Sequence, residues 1–186
     1  MKKLYLFCLF LMLSIGQVAN GEGNRNATEN VDEEEKEIDN FDFLYEGNPN
    51  FDEAFSRTSI LMDEAFSHLG KRYRSGAKGP KAFDCSGFTS YVYKQFSDVF
   101  IGASSRDQYA SNIPISRSEI RCGDLVFFTS PHSGRNVGHV GIVVDFDPVT
   151  QDFTFIHASS YSGVKLSSST ESVYVKRYIG ARRVRL

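Results

Sequence analysis

The sequence contains little cysteine, no internal repeat and no long apolar run. It has three cysteines. Neither of two common zinc-ligand motifs, Cys-x-x-Cys and His-Glu-x-x-His, occurs in it. This absence argues against a zinc site, so we expect neither a metal ion nor an organic cofactor. The absence of repeats excludes a solenoid. The N-terminal apolar run, residues 4–15, is shorter than the roughly 20 residues of a membrane-spanning helix.

The N-terminus has the pattern of a secretory signal. Lys2 and Lys3 precede the apolar run of residues 4–15, and the small-residue segment 19–21 follows it. We therefore expect residues 1–21 to be a signal peptide. The mature protein would be periplasmic or extracellular, without an integral membrane segment.

The overall charge of −2 hides two segments of opposite sign. Residues 22–46 carry ten acidic and two basic side chains, a net charge of −8, whereas residues 47–186 carry a net charge of +4. We predict an acidic disordered spacer over residues 22–48 and one domain over residues 49–186. The mildly basic domain suits an anionic partner such as a cell-wall polymer. We expect a monomer without a nucleic-acid partner.

Helical spacing dominates the first half of the domain and strand spacing the second. A helix that carries Leu61 and Leu69 closes at Gly70, and another runs from Cys85 to Phe96, followed by a loop. This order predicts an α+β fold, with N-terminal helices packed on a five- to six-stranded antiparallel sheet. The predicted strands cover residues 125–128, 139–144, 153–158, 164–166 and 178–184.

Cys85 lies at the predicted start of a helix, directly after a favourable N-cap residue, Asp84. Free N–H groups and the helix dipole stabilise an anion there, so we expect a thiol pKa below the usual value of about 8.5. Such a thiol is a candidate nucleophile. A disulfide with Cys122 is the competing interpretation, since two cysteines remain after the signal. The turn at Cys122 and Gly123 favours a small turn residue instead.

Two histidines belong to neighbouring predicted strands. His139 begins one strand and His157 lies near the end of the next, and a hairpin between the strands brings the two residues together. A thiol needs a base, and the base needs a group that orients its ring. Cys85, His139 and His157 are therefore predicted to be the catalytic residues. His132 is predicted to lie in a flexible loop at the rim of such a site, and His68 is predicted to be a surface or packing residue.

Four segments resemble the NlpC family of bacterial cell-wall cysteine peptidases, which have a papain-like core, and they follow one another along the chain in the family's order. The strongest is residues 83–88, FDCSGF, which resembles the nucleophile motif. Residues 69–77, LGKRYRSGA, are similar to the preceding segment with its tyrosine. Residues 122–128, CGDLVFF, resemble the first strand, and residues 137–142, VGHVGI, the strand with the base.

The resemblance implies a thiol peptidase that acts on peptidoglycan stem peptides. The implied bonds are γ-D-glutamyl–diaminopimelate or diaminopimelate–D-alanine. It also implies that Cys85 is the nucleophile, His139 the base and His157 the orienting residue. An amidase or acyltransferase of the same fold and a catalytically silent wall-binding module remain alternatives. The implied contacts to substrate or oxyanion are Tyr73, Asp84, Ser86, Ser105 and Gln108.

Overall fold

The computed structural model describes the backbone of residues 49–185 and the side chains of residues 56–185. The predicted signal peptide and spacer lie outside the described residues. Backbone proximity divides the chain into the units Met1–Arg57 and Thr58–Leu186. The described part of the first unit is the beginning of helix α1, and the second unit is the fold considered below. Among the described residues, no helix is both long and apolar enough to cross a membrane.

Helix α1 spans Pro49–Phe66. Leu61, Met62 and Ala65 share one face of this helix and are buried, as expected for an amphipathic helix on a core. A turn follows and ends at Gly70, whose φ of 78° is a left-handed conformation that glycine adopts without strain. The regular helix ends before the predicted Gly70, because the N–H groups of His68 and Leu69 donate to carbonyls three residues back instead of four.

Helix α2 spans Cys85–Ser97 and begins at the predicted residue. Asp84 is its N-cap: the backbone there is extended, and Oδ1 accepts a hydrogen bond from the N–H of Gly87 at 2.5 Å. Phe88 and Val92 are buried one turn apart. Local sequence signals thus determine where this helix starts, and this prediction is confirmed.

The stretch after α2 is not the loop that the sequence predicted. It contains helix α3, Ser105–Ser111, and strand β3, Ile113–Ile115. A capping box starts α3: the Ser104 hydroxyl accepts the N–H of Asp107, and the Asp107 carboxylate accepts the N–H of Ser104. Strand β3 pairs with residues 181–183, far away in sequence. Both elements are too short for periodicity to reveal them.

The second half of the chain forms most of a six-stranded antiparallel sheet, and the α+β prediction is confirmed. A 3-10 helix, Arg117–Glu119, precedes these strands, and a one-turn helix α4, Ser172–Val175, interrupts them. Each predicted strand is present, with its ends shifted by no more than two residues. The strands are β4 Leu125–Phe128, β5 His139–Phe146, β6 Phe153–Ser159, β7 Gly163–Ser168 and β8 Tyr178–Arg183. The order across the sheet is β3-β8-β4-β5-β6-β7.

Both faces of the sheet carry buried side chains. Every residue of β4 is buried, with Leu125 and Phe127 on one face and Val126 and Phe128 on the other. Helix α2 packs against β5 and β6. Strands β5 and β6 therefore lie under the helix that begins with Cys85, which brings the predicted histidines close to the thiol. The apolar cluster of the second face contains Ile120, Val126, Phe128, Val143, Phe153, Phe155 and Ala181.

A short parallel pair of strands positions the segment before α2. Strand β1, Arg72–Tyr73, pairs with β2, Ala82–Phe83, so that Tyr73 lies opposite Phe83. Phe83 stands two residues before Cys85, and its side chain is fully buried. The backbone of the predicted tyrosine is thereby held beside the start of α2.

The chain also covers the start of the outer edge of β7, at Val164. The N–H of Gly70 donates to the carbonyl of Val164, and the N–H of Val164 donates to the carbonyl of Lys71, both at 2.9 Å. The segment that leads into β1 is thus attached to the sheet by backbone hydrogen bonds. At the opposite edge, β3 contains Pro114, which has no N–H to donate.

Candidate active site

Cys85, Tyr73, His139 and His157 line one cleft of about 660 Å³. Cys85 occupies the first position of α2 and is partly buried. The backbone N–H of Val140, the residue after His139, is close enough to the Cys85 sulfur to stabilise a thiolate. The start of α2 and the start of β5 therefore meet at the sulfur, as the predicted arrangement requires.

The pKa of the Cys85 thiol is raised, because burial and then the carboxylate of Asp84 disfavour the thiolate. The N–H groups of Ser86, Val140 and Cys85 act in the opposite direction but do not outweigh these effects. The prediction that the helix start lowers the pKa of this thiol is therefore wrong. A protonated thiol at neutral pH needs a base that takes its proton during attack.

The two histidines are joined by a hydrogen bond. Nε2 of His139 lies 2.9 Å from Nδ1 of His157, and the rings are perpendicular with centroids 4.9 Å apart. Burial, and then the charge of Arg177, lower the pKa of His139 to about 4. Burial, and then His139 and Lys165, also lower the pKa of His157. Both rings are neutral at pH 7, so His139 is free to accept a proton.

The hydrogen bond between the rings is compatible with a tautomer suited to a base. When Nε2–H of His139 donates to Nδ1 of His157, the lone pair on Nδ1 of His139 remains available for the proton of the thiol. The same N–H continues to donate after His139 has become an imidazolium. His157 therefore has the geometry of an orienting residue, which holds the ring of His139 in both protonation states.

Ser167 and Tyr174 complete the surroundings of His157, and no signal in the sequence pointed to either residue. Nε2 of His157 lies 3.2 Å from the Ser167 hydroxyl and 3.2 Å from the Tyr174 hydroxyl. In the tautomer described above, this nitrogen carries the proton of His157 and donates it to one of the two oxygens. Neither residue belongs to a motif; only the pairing of β6 with β7 and the position of α4 bring them to His157.

Stability should fall between pH 6.5 and about 4, because the folded state lowers the pKa of His139 and His157 from 6.5. In this window the unfolded chain binds more protons than the folded chain, so the free energy of unfolding falls as the pH falls. Each histidine contributes at most about 1.4 kcal/mol per pH unit. Urea unfolding at pH 7 and pH 4.5 measures the difference.

The double variant His139→Gln, His157→Gln should lose clearly less stability over this pH range than the wild type, since both buried titrations are gone. The matched control is His132→Gln, because His132 lines the same cleft but is exposed. An equal loss in the double variant and in the control would refute the assignment of this pH dependence to the buried pair.

The structure places the remaining predicted contacts in two groups. Tyr73 lines the cleft, and burial, Cys85 and Asp84 raise the pKa of its hydroxyl, as expected for a phenol next to the thiol. Asp84 and Ser86 support the helix start instead: Asp84 Oδ1 accepts from the Ser86 hydroxyl at 3.1 Å. The backbone N–H of Ser86 adjoins the sulfur, whereas Asp84 acts on it through the charge of its carboxylate.

Ser105 and Gln108 do not line the cleft, which argues against their predicted contact with substrate. Gln108 is fully buried, and its amide nitrogen donates to the carbonyl of Ser86 at 3.1 Å. Its oxygen accepts the hydroxyl proton of Thr89 at 2.8 Å. These bonds connect α3 to the first turns of α2. The Gln108 side chain therefore stabilises the start of α2 from outside the cleft.

The other histidines and the second cysteine have separate positions. His132 is exposed and lines the cleft, at the predicted rim. His68 is buried against the ring of Phe83, with centroids 5.0 Å apart, which confirms a packing role. No disulfide joins Cys85 and Cys122, and Cys122 donates to the carbonyl of Val144 at 3.2 Å.

A thiol at the start of a helix, beside two hydrogen-bonded histidines on an antiparallel sheet, is the arrangement of a papain-like cysteine peptidase site. The chain belongs to the NlpC/P60 family, whose family model matches residues 70–183. This finding confirms the resemblance that the four sequence segments indicated.

Individual relatives agree with this assignment. Murein DD-endopeptidase MepS/Murein LD-carboxypeptidase of Escherichia coli (strain K12) is 38% identical over 126 residues, which are 68% of this chain and 62% of that protein. Probable endopeptidase p60 of Listeria grayi is 49% identical over 86 residues, 46% of this chain and 16% of that protein.

A solved structure shows the same fold. The protein described as similar to a lipoprotein of the NLP/P60 family, from Staphylococcus aureus, has a TM-score of 0.60 and 32% identity, and the match covers 69% of this chain and 41% of that chain. This chain covers less than two thirds of the length of each of these three proteins.

Proposed function

We propose that the protein is a peptidoglycan endopeptidase, with Cys85 as nucleophile, His139 as base and His157 as orienting residue. The observation that carries the proposal is the meeting of Cys85 and the hydrogen-bonded histidine pair in one cleft. The names of MepS and p60, both endopeptidases, support this class of reaction. The proposed scissile bonds are γ-D-glutamyl–diaminopimelate or diaminopimelate–D-alanine.

In the proposed mechanism, the thiol proton moves to Nδ1 of His139 while the Cys85 sulfur attacks the carbonyl carbon of the amide. The tetrahedral intermediate collapses to a thioester when His139 returns the proton to the leaving amine. Water, deprotonated by His139, then releases the second product. Because the pKa of the thiol is raised and that of His139 is lowered, proton transfer accompanies attack instead of preceding it.

The oxyanion that forms during attack needs donors near the sulfur. The backbone N–H groups of Cys85 and Ser86 adjoin the sulfur and point from the free end of α2. The Tyr73 hydroxyl, in the same cleft, is a further candidate donor, and its raised pKa keeps it protonated at neutral pH. These groups together are the proposed oxyanion site.

Digestion of defined muropeptides, followed by mass spectrometry of the products, tests the proposed function. We expect cleavage of one of the two named bonds by the wild-type protein, without added metal. The masses of the fragments identify the bond. Absence of cleavage, together with transfer to an added amine, would favour an acyltransferase; binding of muropeptides without any product would favour a wall-binding module.

Substitutions of His157 should separate an orienting role from a packing role. His157→Gln retains a group that can bond to Nε2 of His139, so we expect measurable activity. His157→Ala should lose roughly 10- to 100-fold more kcat/KM than His157→Gln, about 1.4–2.8 kcal/mol. Steady-state rates and a pH profile measure this difference. If both variants lose equal activity with unchanged pH profiles, the orienting role is refuted.

We also propose that residues 1–21 direct export, that residues 22–48 are a spacer and that residues 49–186 form the peptidase domain, acting as a monomer in the periplasm or outside the cell. The change from a net charge of −8 over residues 22–46 to +4 over residues 47–186 supports this boundary between spacer and domain. N-terminal sequencing of the protein recovered from outside the cytoplasm tests it. A mature chain that still begins with residue 1 would refute the signal peptide.

A further inference from the structure

Two cationic side chains line the cleft on either side of the histidine pair. Lys165 lies in β7 directly opposite His157 of β6, so both side chains are on the same face of the sheet. Arg177 directly precedes β8, whose Tyr178 pairs with Phe128 of β4. Since β5 and β6 lie between β4 and β7, the histidines are flanked by a cation on each side.

Neither cation has a carboxylate partner within the described residues. The ion pairs found there involve other residues, and neither Lys165 nor Arg177 has a side-chain hydrogen bond or an ion pair among them. Both side chains are half-buried. Their charges act on the site, since Arg177 contributes to the lowered pKa of His139 and Lys165 to that of His157. Half-buried cations without a counterion favour an anionic ligand.

Glu171 is the acidic side chain that also lines the cleft. It is exposed, and its Oε1 accepts the N–H of Ser168 at 2.8 Å, which keeps it at the start of α4. It forms an ion pair with neither cation in the described part of the chain. The formal charges of Lys165, Arg177 and Glu171, which line the cleft together, therefore sum to a positive value.

We propose that Lys165 and Arg177 form a carboxylate subsite, which holds a free carboxylate of the substrate next to the amide that Cys85 attacks. This inference rests on the proposed function and specifies which part of the substrate the cleft recognises. A γ-glutamyl linkage leaves the α-carboxylate of the same residue free, close to the scissile amide. A carboxylate accepts hydrogen bonds from both an ammonium and a guanidinium group.

A pair of alkylating reagents tests the subsite without any substrate. Iodoacetate and iodoacetamide have nearly the same shape, but only iodoacetate carries a carboxylate; in both, the Cys85 sulfur forms a bond to carbon and displaces iodide. The ratio of the two labelling rates at Cys85, measured by mass spectrometry of peptides, reports attraction of the carboxylate. Cys122 is an internal reference for this ratio, because it does not line the cleft.

In Lys165→Gln and in Arg177→Gln, the ratio of iodoacetate to iodoacetamide labelling at Cys85 should fall roughly three- to tenfold. Glu171→Gln should raise it. Lys176→Gln is the matched control, since Lys176 is an exposed cation next to Arg177 that does not line the cleft, and it should leave the ratio unchanged. Arg177→Lys should keep most of the wild-type ratio. An unchanged ratio in both cation variants would overturn the subsite.

A matched pair of γ-D-glutamyl peptides, one with a free α-carboxylate and one with an α-carboxamide, connects the subsite to catalysis. The wild type should prefer the carboxylate peptide by roughly tenfold or more in KM, and Lys165→Gln or Arg177→Gln should abolish that preference. If neither peptide is cleaved but the alkylation ratio responds, the proposed function fails and the anion subsite stands. Cleavage without any carboxylate preference, together with an unresponsive ratio, eliminates the subsite alone.

Discussion

Cys85→Ala should abolish hydrolysis of muropeptides, with kcat/KM lowered by at least about 10⁴-fold, while the domain remains folded. The substitution removes the atom that forms the thioester, and no other described thiol lines the cleft. The fold should persist, because the start of α2 depends on the Asp84 cap and not on the Cys85 side chain. Product analysis and a thermal unfolding curve measure the two effects.

Cys85→Ser provides a closely matched variant. A serine hydroxyl is harder to deprotonate than a thiol, and the base here has a lowered pKa, so the variant should be nearly as inactive as Cys85→Ala. Cys122→Ala is the control for removal of a thiol elsewhere and should retain wild-type rates, because Cys122 bonds to the carbonyl of Val144 outside the cleft. Normal turnover by folded Cys85→Ala would end the peptidase proposal.

His139→Gln should lower kcat/KM by about 10³-fold at pH 7. Without the imidazole, the buried thiol has a raised pKa and no base in position, so few molecules form the nucleophile. The remaining activity should rise with pH as hydroxide takes over the deprotonation. Alkylation of Cys85 by iodoacetamide should slow in parallel, which shows the effect on the thiol itself.

The control for His139→Gln is His132→Gln, because His132 lines the same cleft without a bond to the histidine pair. Its activity should stay within about threefold of the wild type, an ordinary effect of a changed cleft wall. Equal losses in the two variants would show that His139 is one contact among several and not the base.

The parts of the site that the sequence predicted well are those with local signals. Asp84 and the apolar residues after Cys85 predicted the start of α2, and the turn between His139 and His157 predicted the hairpin that joins them. In both cases, capping or alternation within about 20 residues determines the structure. Such signals are visible in one sequence without knowledge of the fold.

The predictions from sequence failed where contacts between residues far apart in the chain determine the structure of the site. The thiol pKa depends on how deeply the sheet buries Cys85, and burial reverses the direction expected from the helix start alone. Ser167 and Lys165 reach the site only through the register of β6 with β7. The family resemblance implies that Gln108 contacts substrate, but its side chain bonds to the backbone of α2 outside the cleft. None of these positions follows from periodicity.

The attachment of Gly70 and Lys71 to β7 has a consequence for self-association. Exposed sheet edges are templates on which further chains can add as strands and aggregate. At β7 the backbone groups of Val164 are already occupied, so an incoming strand would have to displace Gly70 and Lys71, and with them the backbone that leads to Tyr73. A strand that added along the whole of this edge would therefore disturb the cleft as well.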